Sequence, residues 1–343
     1  MEFLKKIFCF PFTKIYSKNE NLFKENNKNE VNKINIVNTN DEQNNSDNET
    51  DLDPYKQAIL NQEYGLCPEC NQPNTYENWC KECYSKKFQQ DFGNWTSGNE
   101  RIDMFIQESQ LNARNNFELL EWIPYNRLRN IQFLAQGGFS TVYKAIWLDG
   151  WIQHWDYEKQ DWKRYVYERD GQEYKDANNP KIKNPLQINE KYGYSVVLKS
   201  LNDSSNINND FLNEWKLHLQ CQHEARSNIT SLIPLLGITQ DPDTLNYMIV
   251  MNEAYDGSLR NNLKIKNYNP NDKFLNLWWL STQLESLHKL NLVHGDFHNG
   301  NILYDDYKYP VISDLGLCRP VSQHNVKNDV YGVLPYIAPE VLR

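Results

Sequence analysis

Apolar residues are distributed unevenly along this 343-residue chain. Residues 17 to 50 hold 12 Asn and few large apolar side chains. Such a stretch cannot bury enough surface to offset its ordering entropy, so 1–65 is expected to be a disordered N-terminal segment. Ile102, Phe105, Ile106 and Ser109 recur at helical spacing. They predict a short amphipathic helix over 99–112, with Ser97 as its cap, inside a helical linker 97–121. From Trp122 the period changes. Ile131, Phe133 and Ala135 alternate into two glycines, and Val142, Lys144 and Ile146 follow. That pattern predicts strand, tight turn, strand. Further strands are expected at Ser195–Lys199 and, buried, at Tyr247–Met251. Asp210 precedes a periodic run from Phe211 to Leu219, a helix. Leu277, Leu280, Leu284 and Leu287 predict a second helix with one buried stripe. No internal repeat is apparent.

The stretch 149–192 interrupts this order with Trp151, Trp155, Trp162, Tyr165 and Tyr167. It is read as an inserted surface loop with its own small cluster. The alternative is a hairpin pairing Ile152–Asp156 with Trp162–Val166. Composition then removes several function classes. Lys and Arg number 36 against 45 Asp and Glu, a net charge of −9. Nucleic-acid binding needs clustered positive charge, so none is expected. Mean hydropathy is −0.78, and no 18-residue apolar run exists to span a membrane. The start, MEFLKKIFCFPF, is split by Lys5 and Lys6 and lacks a cleavage site, so no secretory signal is expected. Glu2 excludes N-myristoylation, and Cys9 is read as part of a disordered end. The expected location is cytoplasmic and reducing.

Four of the seven cysteines fall within 17 residues, as CPEC (Cys67, Cys70) and CKEC (Cys80, Cys83). Two such knuckles can present four thiolates to one tetrahedral Zn²⁺. A structural zinc knuckle over 66–90 is expected, with a redox dithiol or free thiols as the alternative. Lys81, Lys86 and Lys87 balance Glu69, Glu77 and Glu82, so the module suits protein contact or pure stabilisation and has no electrostatic support for nucleic acid.

The strongest signal is an ordered set of five motifs. AQGGFSTVYKA runs from Ala135 to Ala145 between strands. VVLK places Lys199 at a strand end, and Glu214 follows on the next helix. HGDFHNGN carries His294, Asp296 and Asn301. SDLG carries Asp314, and APE follows at Ala338 to Glu340. Together these make residues 122–343 resemble a eukaryotic protein kinase, and GGFSTVYKA and GVLPYIAPE resemble its tyrosine-kinase-like Ser/Thr branch of fungal type. The resemblance implies an α+β, two-lobed fold with a complete N-lobe and a partial C-lobe, since three residues follow Glu340. It implies ATP and Mg²⁺ as cofactors, protein substrates and intracellular signalling. The zinc knuckle or the insertion is a candidate docking surface for a partner protein.

The chemistry fits these residue types. Phosphoryl transfer is mainly a matter of positioning and charge neutralisation. Ala135, Gln136, Gly137, Gly138, Phe139, Ser140 and Val142 would cover the phosphates and base; Val197, Met251 and Ala254 would line the adenine. Lys199, held by Glu214, would meet the α and β phosphates. Asp314 and Asn301 offer hard oxygens to Mg²⁺, and Asp296 would orient the substrate hydroxyl. Several positions depart from the family pattern. Only Gly137 of its three loop glycines matches, Val197 replaces Ala, Gly295 replaces the Arg of HRD, His298 replaces a Lys, and Leu315 replaces Phe. With no Arg at 295, activity is expected to be largely independent of phosphorylation at Ser322. Two other readings stay open: a pseudokinase adaptor, and a small-molecule phosphotransferase, which shares HGD, the following His and the Asn.

Overall fold

The computed structural model describes residues 54–137, 140–175, 179–201, 204, 212, 215–222, 232–263, 270–305, 308–321, 333–337 and 339–341. The disorder expected before residue 54, and the positions Gly138, Phe139, Glu214, Ser322 and Ala338, lie outside these. Order begins within the segment expected to lack it. Helix α1 spans Pro54–Leu60 and buries Ala58.

In chain order there follow α2 (Lys81–Asp91), α3 (Glu100–Asn112), β1 (Glu121–Trp122), β2 (Leu128–Gln136), β3 (Ser140–Trp147), β4 (Trp151–Asp156), β5 (Asp161–Tyr165), β6 (Tyr167–Glu168), α4 (Gly171–Lys175) and β7 (Tyr192–Leu201). Helix α5 covers 215–222. Then come β8 (Leu235–Gln240), β9 (Tyr247–Asn252), α6 (Leu259–Asn262), α7 (Pro270–Lys289), β10 (Leu292–Val293), β11 (Ile302–Tyr304), β12 (Pro310–Ile312) and β13 (Arg319–Pro320). The mixed α and β content matches the expected fold class.

The main sheet has the order β1-β8-β9-β7-β3-β2, with β6 added to β7. All its pairs are antiparallel except β1 with β8. Gly237 permits that parallel contact. A Cβ there would stand 2.2 Å from the Glu121 carbonyl oxygen. The strand period of two separates the faces of the sheet. Ala145, Trp147, Val196, Leu198, Met248 and Val250 pack against Ile123, Leu128 and Ile131. Tyr247 and Ile249, on the opposite face, pack with Ile102, Phe105 and Ile106 of α3 and with Trp215 and Leu219 of α5. β9 is therefore covered on both sides, which is why its sequence reads as a continuous apolar run.

Three local expectations are corrected. The cap of α3 is Asn99, whose side chain accepts from the Arg101 N–H at 3.0 Å. Ser97 is instead tied to the Asp103 carboxylate through its own N–H at 2.8 Å. The aromatic insertion is a hairpin: β4 and β5 pair from Trp151↔Tyr165 to Asp156↔Asp161. Periodicity alone did not favour it, because its aromatic residues face another part of the chain. In α7 the stripe holds for Leu280 and Leu287, but Leu277 is 62% exposed. Periodicity predicts a face and not how far the partner beneath it extends.

The hairpin packs on the cysteine module. Trp162 stacks on Phe88 with centroids 4.5 Å apart and planes at 10°. The Trp155 N–H donates to the Tyr84 hydroxyl at 3.1 Å. Trp79, Tyr84, Phe88, Ile152 and Leu119 share one core with Cys67, Cys80 and Cys83. The hairpin is also fastened to β1. Arg164 meets Glu121 in a two-pronged pair, at 2.6 Å and 3.2 Å. Burial pushes the Glu121 carboxyl up, against the lowering effect of that guanidinium. Arg164→Ala is expected to destabilise the fold by about 2–3 kcal/mol. That is below the ~3–5 kcal/mol of a fully buried pair, because the Arg164 side chain is 29% exposed. Urea unfolding of the single variant and of Arg164→Met with Glu121→Leu checks it. The double variant should lie nearer to wild type, since it leaves no buried charge alone.

Candidate active site and cysteine centre

The loop between β10 and β11 carries Asp296 and Asn301, and the loop after β12 carries Asp314. The two loops are laced together. The Ser313 N–H and hydroxyl both donate to the Asn301 carbonyl, at 2.9 Å and 3.0 Å. His294 Nδ1 accepts from the Asp296 N–H at 3.2 Å, so its Nε2 proton points to the Ser313 carbonyl at 3.1 Å. Burial lowers the His294 pKa, in the direction of the neutral ring that this bonding pattern uses. Asn301 Nδ2 donates to the Asp296 carbonyl at 3.0 Å and to its carboxylate at 3.1 Å.

Lys199 Nζ reaches Asp314 Oδ1 at 2.8 Å, 115 residues away in sequence. Burial pushes the Asp314 carboxyl up, but the Lys199 ammonium outweighs it and holds the group below the ordinary carboxylate range. Asp314 has φ +59°, a left-handed conformation that costs a non-glycine residue of order 1–3 kcal/mol and is found where surrounding bonds enforce it. Gly295, with φ +80°, is required where it stands. A Cβ would lie 2.3 Å from the Leu317 carbonyl oxygen. Its departure from HRD is thus built into the backbone of this loop.

The sheet presents the remaining residues in register. Val142 on β3 pairs with Lys199 on β7, and Val197 on β7 pairs with Met251 on β9. Val142, Val197, Met251 and Ala254 are all half-buried, as expected of an apolar wall with an open side. Ala135, Gln136 and Gly137 lie at the exposed end of β2, and Ser140 opens β3. A depression lined by Tyr125, Asn126, Lys183, Asn184, Pro242 and Asp243 shares no residue with this set. Lys183 there is already paired with Asp243 at 2.9 Å.

Other side chains gather around these loops. His298 accepts the Gly300 and Asn301 N–H groups at Nδ1, which leaves the ring proton on Nε2, an atom 3.7 Å from the Asp296 carboxylate. Arg260 Nε donates to Asn299 at 3.1 Å, bringing a guanidinium beside the same loop. Lys144 pairs with Glu253 at 2.7 Å, and Tyr167 of β6 meets the Tyr255 hydroxyl at 2.6 Å. The insertion therefore touches the segment that follows β9. The pairings of Arg260, Lys144 and Tyr167 have no fixed spacing along the chain that could reveal them.

The four cysteines form the second centre. Their sulfur atoms all lie within 4.8 Å of one another, with Cys67–Cys83 at 3.8 Å and Cys70–Cys80 at 3.6 Å. A regular tetrahedron with ~2.3 Å metal–sulfur bonds has sulfurs about 3.8 Å apart, so the donor set fits such an ion. Burial raises the Cys67 thiol, but the Cys70 and Glu69 N–H groups and the Tyr157 hydroxyl outweigh it and bring it to about 7. Burial pushes Cys80 up to about 11 and also raises Cys83. Without a cation, four thiolates this close would repel strongly.

Comparison with known proteins agrees with the first centre. The protein kinase domain family matches residues 186–343. A G-type lectin S-receptor-like serine/threonine-protein kinase of Arabidopsis thaliana is 27% identical over 249 residues, 70% of this chain. Another is 32% identical over 158 residues, 43% of this chain. The serine/threonine-protein kinase Sgk1 of Homo sapiens is 39% identical over 64 residues, 18% of this chain. These matches span 23%, 18% and 15% of the relatives' own lengths. Among the described residues no helix is long and apolar enough to cross a membrane. The family match and the Ser/Thr kinase relatives support a eukaryotic protein kinase domain in the C-terminal part of this chain.

Proposed function

We propose that this chain is an ATP-dependent kinase of protein Ser and Thr hydroxyls, of tyrosine-kinase-like type, with a structural zinc in its N-terminal module. The observation that carries the reading is the joining of three loci distant in sequence. Lys199 touches Asp314, and the Asp314 loop is bonded through Ser313 to Asn301, which in turn holds Asp296. Positioning of this kind is what phosphoryl transfer chiefly needs. Val142, Val197, Met251 and Ala254 bind the base, and the 135–142 turn covers the phosphates. Lys199 neutralises phosphate charge. Asp314 and the amide oxygen of Asn301 would hold Mg²⁺ with hard oxygen ligands, and the ion would supply charge neutralisation for the phosphates. Asp296 accepts the hydroxyl proton, and His298, with its Nε2 near that carboxylate, orients it. Glu214, from the motif order alone, is assigned to hold Lys199. Cys67, Cys70, Cys80 and Cys83 hold the zinc.

A second reading, a pseudokinase adaptor, draws support from the direct Lys199–Asp314 contact, which occupies one oxygen of the carboxylate that would hold Mg²⁺. One experiment separates them. The purified chain is incubated with γ-labelled Mg-ATP and casein, beside Asp296→Asn. Label on Ser and Thr that is lost in the variant, with Mg-ATP binding retained, supports the kinase. Transfer absent in the wild type, with or without nucleotide binding, removes the kinase and favours the adaptor.

A further inference from the structure

Helix α5 is shared by two cores. Trp215 and Leu219 pack with Ile102, Phe105 and Ile106 of α3. Cys221 and Leu217 pack with Leu280, Ile312 and Leu315, next to Asp314. His218, also on α5, donates from Nε2 to the Ile233 carbonyl at 2.9 Å and lies within electrostatic reach of both Lys199 and Asp314. Whatever fixes α5 therefore fixes one wall of the proposed phosphoryl-transfer site.

What fixes it leads back to the cysteine centre. Gln222, 2% exposed, closes α5 with three hydrogen bonds. Its Nε2 donates to the Phe117 carbonyl at 2.5 Å and to that of Leu235 at 3.4 Å, and its Oε1 accepts from the Leu235 N–H at 2.8 Å. Phe117 belongs to the segment 113–120, which is bonded on its other side to the cysteine module. Trp79 Nε1 donates to the Ala113 carbonyl at 3.1 Å, and the Thr75 hydroxyl donates to the Arg114 carbonyl at 2.7 Å. Within the segment, Arg114 clasps the fully buried Glu118, and Ser109 of α3 bonds both the Glu118 carbonyl and the Leu120 N–H. Adjacent residues then face opposite ways. Leu119 enters the cysteine core and Leu120 enters the α3–α5 core. Strand-like alternation makes one short segment a structural member of both.

We propose that metal occupancy of the four cysteines sets the position of α5, and that Gln222 is the positioning residue through which it acts on phosphoryl transfer. The inference rests on the kinase reading for its effect on rate, but the mechanical link stands independently of it. With the metal bound, Trp79 and Thr75 hold segment 113–120, and Gln222 finds the Phe117 carbonyl in place. Without it, the thiols separate, the Trp79 core loosens, and the bonds to Ala113 and Arg114 are lost. Packed elements respond as units, so α5 follows.

The test uses the full chain and zinc alone as the probe. Amide hydrogen exchange is followed over 215–222 with zinc bound and after chelation. The expected result is exchange at least tenfold faster at 215–222 without zinc. Faster exchange confined to 66–90 overturns the link. In parallel, Gln222→Leu, which keeps volume and removes the three bonds, is compared with wild type, both zinc-loaded. A fall of tenfold or more in kcat, with KM for Mg-ATP changed less than threefold and zinc content unchanged, supports the positioning role. Unchanged kcat, or a change in KM alone, overturns it. Thr75→Val, which cuts the link at its other end and leaves both cores intact, should give a smaller shift in the same direction in both measurements. If the wild-type chain transfers no phosphate, the kinase reading fails and the exchange measurement alone decides the coupling.

Discussion

Asp314→Asn and Lys199→Met are each expected to lower phosphoryl transfer by about 10²–10³-fold, the range found when a preorganised charge is removed from a reacting centre. The two side chains are in contact, so the double variant should be little worse than either single one. Groups that act as a unit lose their function once. Initial rates with γ-labelled ATP check this, with Mg²⁺ varied. In Asp314→Asn the Mg²⁺ dependence of ATP binding should flatten, since an amide is a poorer ligand for a hard divalent ion than a carboxylate. Equal thermal shifts with Mg-ATP in wild type and variant would remove Asp314 from the metal site. The pair also has a pH signature. Lys199 holds the folded-state pKa of Asp314 below its unfolded value. The stabilisation is therefore complete above the ordinary carboxylate range, near pH ~4, and is lost as pH falls through the lowered value.

Loss of the metal is expected to be the largest structural perturbation. Cys80→Ala should reduce bound zinc from about one per chain to none, read by elemental analysis of reduced protein. The module buries Trp79, Tyr84 and Phe88 and stacks Trp162 on Phe88, so part of its core survives without metal. A destabilisation of ~3 kcal/mol is expected, well short of the ~10–16 kcal/mol by which zinc folds isolated finger peptides. At ~2.1 cal/mol/K of unfolding entropy per residue that corresponds to a fall in Tm of roughly 4–5 °C. The same change should shift tryptophan emission to the red, because Trp79 and Trp162 gain water. A variant that retains zinc, or loses it with no change in Tm or emission, would show that the cysteines do not hold this core together.

Much of this was legible along the chain. The strand periods of β2, β3, β7 and β9, the helical period of α3 and the order of the five motifs are local patterns, and local patterns survive folding because side-chain direction follows backbone period. The cysteine spacing likewise pointed to a cluster of four thiols. The parts that could not be read there are pairings without a fixed spacing. The Asn99 cap displaced the expected Ser97 because Asp103 captured Ser97 first. Gly295 read as a lost Arg, yet its left-handed φ and the Leu317 carbonyl leave no room for any side chain. The aromatic insertion read as a loop of its own because its partners, Phe88 and Tyr84, lie more than 70 residues away.

By itself, then, the sequence determined which residue types are available for phosphate, metal and thiolate chemistry and on which kind of element each stands. Only the tertiary structure decided that Lys199 meets Asp314 across 115 residues, that the hairpin β4–β5 completes the core of the cysteine module, and that Leu119 and Leu120 tie that core to α5. The reason is physical. Periodicity fixes the direction of a side chain relative to its own backbone, whereas a contact between distant segments depends on which surfaces exclude water together, and that depends on the whole chain at once.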